Sequence, residues 1–288
     1  MINFLKYNWI YFGISGIVIV IGLISILTGG LRYSIEFTGG TTLSYQLNRP
    51  LSNGAIAQVM KDNGLDVVEL KVQGMVMNAQ VKAIDEKMEA KFKKDIESKL
   101  STKIEVLKSE TIGPTLGRET LMKTLIAAGI AIVGILLYMS YTFKGFNFAL
   151  AAILALVHDF LVLIGVYSLL CRFFGAQVDT LFVTAVLTTM SFSVHDTIIV
   201  FDKIREYVRA TGRSNIVHYA NRALTETLVR SLNNSMTVIF MLLALSLLGG
   251  DTIRFFVMAL LVGTVSGTYS SPFVATPLLV WLEKMKKK

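Results

Sequence analysis

Six long apolar runs, nearly free of charged side chains, divide this 288-residue sequence. An α-helix rises 1.5 Å per residue, so about 20 residues cross the roughly 30 Å hydrocarbon core of a bilayer. The runs cover residues 9–27, 124–143, 146–171, 180–201, 231–249 and 255–282. We therefore predict an all-α membrane bundle of six spanning helices.

Basic residues concentrate in alternate loops between these runs. With the N-terminus in the cytoplasm, the short outer loops carry only Arg172 and Arg254. Because cytoplasmic loops are enriched in lysine and arginine, this bias predicts that both termini are cytoplasmic. It also explains the formal net charge of +8 without nucleic-acid binding, for which no basic stripe with aromatics exists. The inner basic residues are Lys6, Lys144, Lys203, Arg205, Arg209, Arg213, Arg222, Arg230, Lys284, Lys286, Lys287 and Lys288.

Residues 30–120, between the first two runs, have a soluble character. Their pattern predicts strand 41–47, helix 52–63, a hairpin of strands 67–73 and 75–83, helix 85–100 and strand 103–108. Ser52 is a suitable N-cap for the first helix, and Gly74 suits the hairpin turn. The order β-α-β-β-α-β is that of the ferredoxin-like fold. We divide the chain into a first spanning helix (1–29), an outer α+β domain (30–120) and five further spans (121–288).

Two His-Asp pairs lie inside predicted spans, His158-Asp159 in the third and His195-Asp196 in the fourth. Ionisable residues are costly in lipid and are usually paired there. At 1.5 Å per residue, Asp196 lies roughly 24 Å and Arg230 roughly 27 Å from the outer ends of their helices. Similar depth favours an Asp196–Arg230 pair. Asp159 lies nearer the outer face and is expected to have another partner, such as a second subunit.

Polar residues continue from this predicted pair along both helices. Thr189, Ser193 and Asp196 share a stripe of the fourth span, and Arg230, Asn233 and Asn234 share a face of the fifth. Two stripes that meet would enclose a hydrated path. Burial favours a protonated carboxyl and a guanidinium favours a charged one, so such an acid can load and release protons. The alternative is a structural ion pair that sets the register of two helices.

Chemical motifs of other classes are missing from the sequence. His158 and His195 are expected to form hydrogen bonds between helices. They are not expected to bind a metal, because no further ligands stand at metal-binding spacing. Cys171 ends an apolar run and is expected to be a small buried hydrophobe. Nucleotide-binding and hydrolase motifs are absent. We therefore expect no metal, no cofactor and no enzymatic activity.

The sixth span carries small residues and prolines. Gly263, Gly267 and Ser271 recur at four-residue spacing, which predicts close packing against a neighbouring helix. Pro272 and Pro277 predict a kink or break in the same helix. Packing alone can explain both features, although broken helices also occur beside transport paths.

Five short motifs follow one another along the chain. They are SIEFTGGT at 34–41, GPTLGRE at 113–119, ALVHD at 155–159, DTIIVFDKIRE at 196–206 and GTYSS at 267–271. Together they resemble the SecD/SecF family of the RND superfamily. The chain departs from the family pattern at Ser34, Glu36 and His195, where Gly, Asp and Asn are usual.

The resemblance implies an RND-type six-helix bundle in the bacterial inner membrane, with a ferredoxin-like periplasmic domain. It implies SecD as a partner, association with the SecYEG channel and YajC, and contact with exported unfolded polypeptides. The family's proton-path carboxylate and arginine correspond to Asp196 and Arg230. We expect a proton pathway through Asp196, Arg230 and Asp159. The expected supporting polar residues are Thr189, Ser193, Asn233, Asn234, His158 and His195.

The expected function is that of an accessory subunit of the Sec protein translocase. With SecD, it would use the proton motive force to promote export of polypeptides across the inner membrane. The alternative is a purely structural membrane subunit that stabilises SecD and SecYEG without proton coupling.

Overall fold

The computed structural model describes residues 4–143, 145–212 and 215–285. Its helices are α1 Asn8–Leu27, α2 Ile35–Thr38, α3 Asn53–Asp62, α4 Glu86–Lys99, α5 Pro114–Thr142, α6 Phe146–Phe174, α7 Thr180–Thr211, α8 Ile216–Leu248, α9 Asp251–Ser270 and α10 Thr276–Met285. The strands are β1 Gly40–Leu47, β2 Val67–Gln73, β3 Val76–Val81 and β4 Ile104–Ile112. Of the cations used to predict the orientation, Lys144, Arg213, Lys286, Lys287 and Lys288 lie outside the described residues.

In the part of the chain that the structure describes, six helical segments are long and apolar enough to cross a membrane. They confirm the predicted number and order of spans. The segments are Phe4–Leu27, Pro114–Thr142, Phe146–Phe174, Thr180–Thr211, Ile216–Leu248 and Thr252–Met285. Several extend beyond the apolar runs; α8 begins at Ile216 rather than at residue 231. The Oδ1 of Asn215 caps this start by accepting from the His218 amide at 3.2 Å, and Ala223 and Leu224 are buried nearby.

The described chain separates into two compact units. The spanning unit combines the residues before Tyr33 with those after Leu125, and the smaller unit is Tyr33–Leu125. The smaller unit contains an antiparallel sheet of strand order β2-β3-β1-β4. Its core joins sheet residues such as Tyr45 to Ile56 of α3 and Phe92 of α4, all fully buried.

Local signals define the elements of the smaller unit. The Oγ of Ser52 accepts a hydrogen bond from the Ala55 amide at 3.3 Å, which confirms Ser52 as the N-cap of α3. Asp85 caps α4 in the same way, accepting from the Met88 amide at 2.7 Å. Gly74 turns the hairpin with φ of +63°, a conformation that glycine adopts without strain.

The glycines of the first two motifs pack backbone against backbone. Gly39 has φ of +71°, and a Cβ there would lie 2.6 Å from the Cα of Pro114. A Cβ on Gly117 would lie 2.6 Å from the amide nitrogen of Gly39. Glycine is therefore required on both sides, where β1 and α5 begin.

Within the spanning unit, α7 and α9 pack closely through small residues. A Cβ on Gly263 would lie 2.4 Å from Cγ2 of Thr189, and one on Gly267 would lie 3.1 Å from Cβ of Ser193. The predicted close packing of the sixth span is confirmed. The predicted contact between the polar stripes of α7 and α8 is wrong for Thr189 and Ser193. These two residues of α7 face the glycines of α9 rather than α8.

A π-helical turn, Ser271–Ala275, interrupts the last span between α9 and α10. Pro272 lies inside the turn and Pro277 follows it, and neither can donate a backbone hydrogen bond. The Thr276 hydroxyl donates to the Ser271 carbonyl at 2.9 Å, satisfying one of the acceptors at the irregular turn. The predicted departure from regular α-helix is confirmed.

Candidate functional site: buried aspartates between the spanning helices

Asp159 on α6 is buried in a cradle of hydroxyl groups. Its Oδ2 accepts hydrogen bonds from Ser193 of α7 at 2.5 Å and from Ser270 of α9 at 2.6 Å. Its Oδ1 accepts from Ser266 of α9 at 2.9 Å. Donors to both oxygens stabilise an ionised carboxylate without a metal or an arginine. Asp159 thus has partners other than Arg230, as expected, and they belong to this chain rather than to a second subunit.

His158 extends this cluster toward α1. Its Nδ1 lies 3.0 Å from Oδ1 of Asp159, and its Nε2 lies 3.1 Å from the hydroxyl of Tyr269. The Tyr269 hydroxyl is also 3.2 Å from Oγ of Ser15 on α1. The chain Asp159–His158–Tyr269–Ser15 thus links α6, α9 and α1. The expectation that His158 forms hydrogen bonds between helices is confirmed.

Asp196 on α7 is only 1% exposed. Its Oδ2 accepts a hydrogen bond from Ser231 of α8 at 2.9 Å. Its Oδ1 has no hydrogen-bond partner among the described residues, and the Nδ1 of His195 lies 3.9 Å away. A buried carboxylate oxygen without a donor is destabilised as an anion. Asp196 is therefore far less completely solvated by the protein than Asp159.

The predicted Asp196–Arg230 pair is wrong for this chain by itself. No hydrogen bond or ion pair in the described residues joins the two, and Arg230, Asn233 and Asn234 are exposed on α8. The depth estimate was sound, because Ser231 is the residue next to Arg230. The predicted orientation of the side chain was wrong, because successive residues of an α-helix point about 100° apart around its axis. Arg230 therefore leaves the surface of α8 in a different direction from Ser231.

The other predicted polar residues divide between the interior and the surface. Thr189 and Ser193 are buried on the side of α7 that faces α9. The side chain of His195 is 66% exposed. The structure thus gathers Asp159, His158 and Ser193 into one cluster and leaves Asp196 beside Ser231.

Sequence reasoning missed Ser231, Ser266, Ser270, Tyr269 and Ser15. A signal for two of them was present, because Ser266 and Ser270 precede Gly267 and Ser271 and form a second stripe at the same spacing. Small residues that permit close helix approach also bring serine hydroxyls within reach of a buried acid. Ser231 and Ser15 carry no comparable signal, since isolated serines are common in spanning helices.

The described residues include no group of His, Cys, Asp and Glu that could hold a metal ion. What the site offers is a pair of buried carboxyl groups among hydroxyls and an imidazole. Groups of this kind exchange protons, and acids inside a membrane commonly mark ion or proton routes. Fold and site together define a multi-pass membrane protein with buried intramembrane acids and one small α+β unit.

Comparison with known proteins agrees with this architecture. The family described as Protein export membrane protein SecD/SecF, C-terminal, matches residues 92–285, and the SecD/SecF GG Motif matches residues 24–50. Protein translocase subunit SecF of Thermobaculum terrenum is 39% identical over 99% of this chain and 95% of its own length. The SecF of Pseudomonas aeruginosa is 31% identical over 98% of this chain and 91% of its own.

Among solved structures, SecDF of Thermus thermophilus, described as a translocon-associated membrane protein, matches with a TM-score of 0.86 and 28% identity. The match covers 98% of this chain but 39% of the SecDF chain. The chain belongs to the SecD/SecF family of protein export membrane proteins, among its SecF translocase subunits.

Proposed function

We propose that this chain couples proton movement through the membrane to the export of polypeptides, acting with SecD as a non-enzymatic subunit of the Sec translocase. SecF relatives over nearly the full length support the role in export. The proposal of proton coupling rests on one observation, the burial and incomplete hydrogen bonding of Asp196.

Asp196 combines burial, incomplete hydrogen bonding and a position deep in a spanning helix. It lies 16 residues into α7, roughly 24 Å from the Thr180 end at 1.5 Å per residue. Ser231 is its hydrogen-bond donor, and Oδ1 is left without one in the described chain. A carboxyl in such a place can take up a proton at small energetic cost, and it can release the proton when a cation or water reaches Oδ1. This is the behaviour that a proton carrier requires.

The exposed polar face of α8 supports a second polypeptide at the site. Arg230, Asn233 and Asn234 lie on the outside of a helix that is otherwise apolar enough to span the membrane. An arginine that faces lipid is costly, so this face is suited to a partner that offers acidic or polar groups. We propose SecD as that partner. The solved SecDF chain, of which this chain matches 39%, supports the association of the two parts.

The smaller unit, Tyr33–Leu125, is proposed to be a ferredoxin-like periplasmic domain. Its element order β-α-β-β-α-β and its strand order support that fold. The proposed location is the bacterial inner membrane, with both termini in the cytoplasm. SecYEG, YajC and the exported unfolded polypeptide are proposed as further partners of the assembled complex.

A purely structural subunit is the competing function, and the Asp159 cluster favours it. In this cluster the Asp159 carboxylate of α6 accepts hydrogen bonds from α7 and α9, and these bonds hold the three helices together. The two functions differ in what they require of Asp196. Proton coupling needs a titrating acid at this position, whereas a scaffold needs only a side chain of similar size and polarity.

Gradient-dependent export separates these functions. We expect Asp196→Asn to assemble with SecD in membrane vesicles but to reduce export to the level seen after the proton gradient is collapsed. Arg230→Ala is expected to behave similarly. Asp62→Asn is the matched control, because Asp62 is an exposed carboxylate of the smaller unit bound to Lys99 at 2.7 Å. Equal gradient-dependent export by wild type, Asp196→Asn and Arg230→Ala would establish the structural function instead.

A further inference from the structure

We propose that His158, rather than Asp159, is the proton-binding group of the Asp159 cluster, and that Tyr269 and Ser15 form the relay to its Nε2. This inference rests on the proposed proton coupling, to which it adds a second proton site. Asp159 then becomes a positioning residue. Its part is to hold the imidazole in one orientation and one tautomer.

The hydrogen bonds around Asp159 decide which group carries the proton. Ser193, Ser266 and Ser270 can all donate to the carboxylate at 2.5–2.9 Å. Hydrogen bonds of this kind are stronger when their acceptor is ionised. A protonated Asp159 would lose the charge that strengthens these three bonds. Three donors therefore suit an ionised carboxylate at Asp159, and the proposal places an added proton on its neighbour His158.

A charged Asp159 fixes the tautomer of His158. A carboxylate can only accept, so the Nδ1 at 3.0 Å must carry the hydrogen. In neutral His158 the Nε2 is then a lone-pair acceptor, and the Tyr269 hydroxyl at 3.1 Å donates to it. The Tyr269 oxygen can in turn accept from Ser15 at 3.2 Å. A carboxylate that orients an imidazole for proton transfer at its other nitrogen is a known arrangement in enzymes.

Proton uptake reverses this chain without leaving an unbalanced group. Tyr269 passes its hydroxyl proton to Nε2 of His158 and regains one from Ser15, which regains the incoming proton. The net change is one proton on His158. The Nε2–H now donates to Tyr269, and Tyr269 donates to Ser15. These hydrogen bonds link α6, α9 and α1. The direction in which each bond is donated therefore depends on the charge of His158.

The surroundings contain few other groups that could take the proton. Around the pair, α7 contributes Ser193, α9 contributes Ser266, Ser270 and Tyr269, and α1 contributes Ser15. Tyr269 is thus the only further titratable side chain hydrogen-bonded to the pair among the residues described. The next acid along α7 is Asp196, one turn beyond Ser193. Its hydrogen-bond donor is Ser231 of α8.

Nitrogen NMR of the full chain in lipid nanodiscs tests the relay directly. The chain has three histidines, so ¹⁵N-histidine spectra can be assigned with His195→Gln and His218→Gln variants. We expect Nδ1 of His158 to be protonated at every pH and Nε2 to gain a proton as the pH is lowered. A neutral His158 that carries its hydrogen on Nε2, or an Nε2 that never titrates, overturns the proposal.

Tyr269→Phe removes the relay hydroxyl and little else. We expect neutral His158 in this variant to keep its hydrogen on Nδ1, where Asp159 holds it, while the ¹⁵N signal of Nε2 moves to that of a nitrogen without a hydrogen-bond donor. Tyr167→Phe is the matched control, because the Tyr167 hydroxyl is also buried in a span but donates to the Gln177 carbonyl at 2.8 Å. An unchanged Nε2 signal in Tyr269→Phe contradicts the relay. Should that variant fail to fold, the wild-type spectrum still decides, and neither measurement depends on the outcome of the export assay.

Discussion

Asp159 and Asp196 are both buried, yet their oxygens are satisfied to different degrees. Asp159 accepts from serines on two helices, whereas Asp196 accepts from Ser231 within the described chain. Fully satisfied buried polar groups add rigidity, and partly satisfied ones are sites where charge can change. On the proposed function, Asp159 serves packing and orientation, and Asp196 and His158 exchange protons.

In the smaller unit, the titration of Tyr45 is expected to affect stability. It is fully buried, and its hydroxyl donates to Oε1 of Glu89 at 2.9 Å. Burial raises the pKa of Tyr45 well above its usual value, and the hydrogen bond to Glu89 raises the pKa further. Because the folded pKa exceeds the unfolded one, this contribution to stability is complete below about pH 10 and declines as the pH rises above it.

We expect Tyr45→Phe to lower the unfolding free energy of residues 33–125 by about 1 kcal/mol at pH 7, because the hydrogen bond to Glu89 is lost. The same variant should lose less stability than wild type above about pH 10. Urea unfolding of this fragment, followed by far-UV circular dichroism, measures both effects. Tyr33→Phe is the control, since Tyr33 is 52% exposed in the same unit. An alkaline loss as steep as in wild type would contradict the role of Tyr45.

Helices α7 and α9 approach each other closely in the spanning unit. Gly263 and Gly267 present no side chain, so Thr189 and Ser193 approach the backbone of α9. The same approach brings Ser266 and Ser270 to Asp159 on α6. The small-residue stripe of the sixth span therefore does more than pack, because it sets the distances within the acid cluster.

We expect Gly263→Ala to destabilise the chain by about 1–3 kcal/mol, because its Cβ would lie 2.4 Å from Thr189 and force the helices apart. Thermal unfolding in detergent provides the measurement. Gly134→Ala of α5 is the matched control, since nothing lies within 4 Å of a Cβ there. Alanine is the better helix former, so the control should be unchanged or slightly more stable. Equal stability of the two variants would show that α7 and α9 tolerate a wider separation.

The chain as a whole consists of a membrane-spanning unit and a small unit inserted between its first and second spans. In the proposed orientation, the six spans of the described chain put both termini on one side, which the basic loops predict to be the cytoplasm. The smaller unit would then lie on the opposite side, where it could contact exported chains.

Cysteine labelling in intact cells tests this orientation. Cys171 is the single cysteine and is buried, so an added surface cysteine dominates the labelling. We expect Gly54→Cys of α3 to react with a membrane-impermeant maleimide from outside. Ala210→Cys, at the exposed end of α7, should react only after the membrane is permeabilised. The reverse result would invert the proposed topology.

Much of this architecture follows from local patterns in the sequence. The number of spans, the caps at Ser52 and the hairpin turn at Gly74 were all predicted, because each depends on a short stretch of chain. The depth of Asp196 was also predictable, since the rise per residue is constant along a helix. The residue of α8 that contacts Asp196 is Ser231, which is adjacent in sequence to the predicted partner Arg230.

Only the tertiary structure decided how each helix is rotated about its own axis. The polar face containing Arg230 was assigned to the interior, but α8 turns Ser231 inward and Arg230 outward. Likewise the partners of Asp159 come from α7 and α9, which are distant in sequence. The rotation of a helix depends on the shapes of the helices that pack against it. The sequence of a polar stripe does not reveal whether water, another subunit or this chain covers it.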